Sequence, residues 1–172
     1  MARGGALPSQ GWADRVERLA RIIPGVGAYQ DREGLREADK RVRTYVADLL
    51  VRVAEDLEPA QRALADDGPL ERLPVVERLS GLLATLADRI RFASYGFSGV
   101  FAGRKIGARE LQALHDFDLR LVQMIPALQG RIQAVAQSAA AGDFPDLVRS
   151  AEASLRELGG QLEERDKVAR SL

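Results

Sequence analysis

The chain has 172 residues, enough for one domain with a substantial core. Apolar residues make up 46% and charged residues 29%, with only 5% aromatic, a balance that favours Leu/Ala/Val-packed helices over sheets. Its 25 basic residues equal its 25 acidic ones and it has no cysteine, which argues against a general electrostatic grip on nucleic acid and excludes disulfides, thiol catalysis and thiolate metal sites.

The expected architecture is all-α: an elongated antiparallel four-helix bundle with a short N-terminal amphipathic helix. Residues 1–10 read as a flexible tail without the apolar region of a signal peptide, and 11–172 as a single helical domain. The spacing predicts a first helix over 12–23, with Trp12, Val16, Leu19 and Ile23 on one face. Pro24-Gly25-Val26-Gly27 ends it.

A second helix is expected over 31–66, with Leu35, Ala38, Val42, Tyr45 or Val46, Leu49, Val53 and Leu57 as its apolar stripe. Pro59 lacks a donor and clashes with the preceding turn, so it should kink or break that helix. Asp66-Asp67-Gly68-Pro69 is a turn. The third helix, over 70–95, carries Val76, Leu79, Leu82 or Leu83, Leu86 and Ile90 at helical period.

The fourth is expected over 108–141, bent at Pro126. Gly142-Asp143-Phe144-Pro145 then restarts the chain, with Asp143 as N-cap of a last helix over 144–169. No useful length alternates apolar with polar, so no sheet is expected. Helices of roughly 27 to 36 residues would span roughly 40 to 54 Å.

Familiar catalytic and metal patterns are missing. A carboxylate-bridged di-metal bundle needs Glu-x-x-His on two helices. The single histidine, His115, instead stands in Gln112-Ala-Leu-His115. His115 and Asp116 are adjacent in sequence and diverge by about 100° on a helix, which makes a poor acid/base pair. No Gly-x-Ser-x-Gly, Walker A or dinucleotide loop occurs. The chain is therefore expected to be non-enzymatic, with no cofactor and no metal.

Two islands depart from generic helix. The first runs Ile23-Pro24-Gly25 to Tyr29 and then Arg36-Glu37-Ala38-Asp39-Lys40. The second is Arg91-Phe92-Ala93-Ser94-Tyr95-Gly96-Phe97, continuing through Gly99 to Phe101. Together they resemble an uncharacterised bacterial helical-protein family that carries Ile-Pro-Gly…Tyr…Arg-Glu-Ala-Asp-Lys and Ala-Ser-Tyr-Gly-[Phe/Tyr]-x-Gly-x-Phe segments. That resemblance implies no catalytic residues.

In the first island Arg32, Arg36 and Lys40 form a basic stripe at i,i+4, beside Glu33 and Glu37. It reads either as an acidic-partner site or as a solvated face of mixed ion pairs. In the second, Phe97 and Phe101 flanked by Arg104 and Lys105 read either as a docking surface or as a plug at the bundle end.

The leading expectation is a cytoplasmic scaffold or adaptor that binds another protein, not nucleic acid. Its candidate partner-binding residues are Tyr29, Arg36, Asp39, Lys40, Arg91, Tyr95, Phe97, Phe101, Arg104 and Lys105. The alternative is a protein peripheral to the inner membrane face, with Trp12, Val16, Leu19 and Ile23 as membrane-facing residues instead of a face packed against the bundle. An enzyme with an Arg/Asp-based site is the third reading.

Overall fold

A computed structural model describes residues 10–26, 32–92 and 108–171. Among these there are helices and turns and no strand. The helices are α1 (Gln10–Ile22), α2 (Arg32–Glu55), α3 (Glu58–Asp66), α4 (Leu73–Phe92), α5 (Ala108–Gln137) and α6 (Phe144–Ser171), with a short 3-10 turn at Leu70–Arg72 before α4.

The helix expected over 31–66 is two helices. The break falls at Asp56–Leu57, and Pro59 lies in the first turn of α3, where its missing N–H leaves no bond unmade. In α5 the chain remains helical through Pro126, which is on the exposed side. The same helix stops at Gln137 rather than 141, because the following turn is held from outside. The Arg72 guanidinium donates to the carbonyls of Ala139 at 2.9 Å and Ala141 at 2.6 Å, and stacks 5.0 Å from the Phe144 ring. A distant arginine thus satisfies acceptors that the helix end would otherwise leave open. Asp143 precedes α6, and its carbonyl accepts from the N–H groups of Asp146 and Leu147.

Gly25 closes α1 with φ of 82°, a backbone region that side chains disfavour. A Cβ there would lie 2.1 Å from Arg41 Nη1. Arg41 reaches across that gap to the Pro24 carbonyl at 3.4 Å and so ties the end of α1 to α2.

α2 packs on α4, α5 packs on α6, α1 lies on α5, and smaller contacts join α2 to α5 and α4 to α6. Charged pairs report direction. Arg91 with Asp48 joins α4 to α2, while Arg165 with Asp118 and Arg131 with Ser154 follow opposite order along the two helices and make α6 antiparallel to α5. By contrast, Arg78 meets Glu152 and Arg89 meets Glu163, so α4 and α6 run parallel and in step.

One continuous core draws on every helix, from Leu19 and Ile23 at α1 through Val46, Leu50, Leu64, Leu83, Ile132 and Leu158. Leu19 and Ile23, membrane-facing only in the alternative reading, are buried in it. Burying such side chains stabilises by about 1.5–3 kcal/mol each, which holds the C-terminal end of α1 on the interior.

Candidate functional site

Between α4 and α6 the surface sinks into a groove of about 440 Å³. Its α4 wall carries Arg78, Leu82, Thr85, Leu86 and Arg89; the α6 wall carries Glu152, Leu155, Arg156, Gly159, Gly160 and Glu163. The α4 wall follows from adjacent leucines: Leu83 is fully buried, and Leu82, one position round the helix, remains 41% exposed above the groove. On the α6 side the depression exists because two successive residues lack side chains.

Nothing among the described residues explains those glycines. Each costs about 0.5–1 kcal/mol relative to alanine in a helix interior. At Gly159 and Gly160 a Cβ would meet no atom within 4 Å, beyond the adjoining backbone of the helix itself. Gly81 and Gly130 are equally open but do not line the groove.

Charge is ordered along the groove. The Arg78 guanidinium contacts Glu152 at 2.5 Å, and Arg156 reaches the same carboxylate at 3.8 Å. One end is marked by Arg89 and Glu163, 3.3 Å apart and 55% and 61% exposed. In the groove α4 contributes arginine alone, whereas α6 contributes both glutamates and Arg156.

Four polar side chains are also interior, at separate places in the core. Arg43, Asp118, Ser154 and Arg165 are all buried. Arg165 Nε donates to Asp118 Oδ1 at 2.5 Å, and Arg131 donates to the Ser154 hydroxyl. Neither grouping has the composition of a metal centre, and among the described residues no three His, Cys, Asp or Glu side chains are placed to hold a metal ion. Of the surface groups, Lys167 has its pKa raised by the hydrogen bond to Glu164 and that carboxylate's charge. It is not among the groove-lining residues.

The residues singled out from sequence are distributed differently. Arg91 is half-buried and pairs with Asp48 at 2.7 Å. Asp48 is eight residues along α2 from Lys40, about 12 Å at a helical rise of about 1.5 Å. Arg91 therefore meets the middle of α2, away from the basic stripe. Lys40 is exposed. Arg36 and Asp39 are in α2, and Trp12 and Val16 in α1, with side chains outside the described set. Tyr29, Tyr95, Phe97, Phe101, Arg104 and Lys105 lie outside the described residues.

The groove and the buried Asp118–Arg165 pair fall outside the expectations from sequence. A signal for the groove was present: a Gly-Gly pair inside a long helical pattern, out of place unless close approach is needed.

Compared with protein-family models, curated proteins and solved structures, the chain matches none. No helix among the described residues is long and apolar enough to cross a membrane.

Proposed function

We propose that this chain is a non-enzymatic helical interaction module, a cytoplasmic scaffold or adaptor that docks a helical partner in the α4–α6 groove. In this reading two antiparallel hairpins, α2 and α3 with α4 and α5 with α6, lie side by side as an elongated four-helix bundle, and α1 packs against it. The observation that carries the proposal is the open Gly159–Gly160 floor facing the exposed Leu82. Helical glycines that no described residue requires are explained by an outside helix that needs close approach. The flanking Arg and Glu side chains supply the polar rim that such interfaces have around an apolar centre.

Phe92, the first residue of the aromatic–glycine series, is 73% exposed, which supports a further contact at the C-terminal end of α4. A membrane role for α1 is disfavoured, since Leu19 and Ile23 would first have to leave the core.

The test places a photo-crosslinking amino acid at Leu82, with Arg62 on α3 as an exposed control. Irradiation in cells should give a discrete protein adduct from position 82 and none from 62. Absence of any adduct at 82 would remove the groove as a docking face.

A further inference from the structure

We propose that the groove's occupant is the same groove of a second copy of this chain, the two related by a two-fold axis along the helices. The inference rests on reading the groove as a docking face and names what docks there. An isologous dimer needs a surface complementary to itself. This one holds a projection, Leu82, together with a recess over Gly159 and Gly160, and it holds both signs of charge.

The charge order selects the axis. Because α4 and α6 are parallel and in step, a two-fold axis along the helices lays α4 of one copy on α6 of the other at the same level. Arg78 then faces the second copy's Glu152, and Arg89 faces the second copy's Glu163. Leu82, level with Arg156, descends one turn short of Gly159 and Gly160 and leans toward that recess, while Leu86 stays in its own core. An axis across the helices would instead stack α4 on α4, with Arg78 against Arg89 and Glu152 against Glu163, so that like charges meet at both ends.

Exchange of partners costs little. The Arg89–Glu163 pair is more than half exposed and contributes little where it stands. Glu152 is approached by both Arg78 and Arg156, so Arg156 can remain on it when Arg78 turns outward. From Arg78 to Arg89 the α4 wall rises roughly 16 Å at about 1.5 Å per residue. That is a small contact, at the lower end of specific interfaces, so the dimer should be weak, with a dissociation constant of about 10–100 µM.

Sedimentation equilibrium on the full chain tests this at low salt, using the wild type, Arg89→Glu and Glu163→Arg. Both positions are more than half exposed, and circular dichroism verifies that the variants stay folded. The wild type should dimerise. Each variant alone places like charges opposite one another twice and should associate about tenfold or more weakly. An equimolar mixture of the two variants should restore association. Position 89 of the first, made acidic, then meets position 163 of the second, made basic, while the unaltered Glu163 of the first meets the unaltered Arg89 of the second.

A wild type that stays monomeric to several times the expected dissociation constant overturns the inference. So does Arg89→Glu dimerising as well as or better than wild type, which would indicate another surface or the crosswise axis. The two levels separate cleanly. A monomeric chain whose position 82 crosslinks to a different protein sinks the second-copy inference and keeps the docking reading. A monomeric chain with no adduct at 82 sinks both.

Discussion

Arg165 and Asp118 form an ion pair across the α5–α6 contact, Nε to Oδ1 at 2.5 Å, with side chains only 3% and 7% exposed. Two charges so far from water are costly singly and tolerable together, and this makes the pair sensitive to loss of either member. Asp118→Leu or Arg165→Met alone is expected to destabilise the fold by about 3–5 kcal/mol. The double substitution should cost clearly less than the two effects added. Urea unfolding of the four proteins measures this, and strictly additive losses would refute the coupling.

Arg72 holds the α5–α6 turn through the Ala139 and Ala141 carbonyls and the Phe144 ring. Arg72→Ala removes two charge-assisted hydrogen bonds and one cation–π contact. The expected loss is about 2–3 kcal/mol, since hydrogen bonds to charged groups contribute about 1.5–3 kcal/mol. Hydrogen exchange should rise first in residues 138–143. A thermal midpoint unchanged within error would contradict the cap.

Gly25→Ala should lower stability by about 1–2 kcal/mol, because φ of 82° disfavours a side chain and the new Cβ would displace the Arg41 head group. Arg41→Ala should lose less, since its bond to the Pro24 carbonyl is long and exposed. Chemical denaturation ranks the two. The reverse order would mean that Arg41, not the glycine conformation, secures the end of α1.

Gly159→Ala and Gly160→Ala should have opposite effects on stability and association. Each should raise stability by up to about 1 kcal/mol, as alanine is the better helix former and no neighbour stands in its way. Both should weaken self-association, because added methyl groups fill the recess. A melting curve and a sedimentation run on one preparation check both halves. Lost stability would show that the glycines serve the fold instead.

What could be read from the residues alone is what is encoded at short range. Spacings of three and four mark the helices, and Pro59 and the Pro24-Gly25 and Gly142-Asp143 signals divide them, since each acts on its own turn of backbone. The burial of Leu19 and Ile23 was legible only as one of two outcomes, because an amphipathic face says that it needs cover and not what covers it. Tertiary structure alone decided the remainder. Arg72 caps a turn 67 residues away, and Asp118 and Arg165 are 47 apart. The α4–α6 groove exists because two helices distant in sequence run parallel and in step. No local pattern records such registers: a charged residue has the same helical preference whether it ends in solvent or opposite a buried partner. Packing many apolar side chains at once sets the relative height of the helices, and that height decides which charges meet.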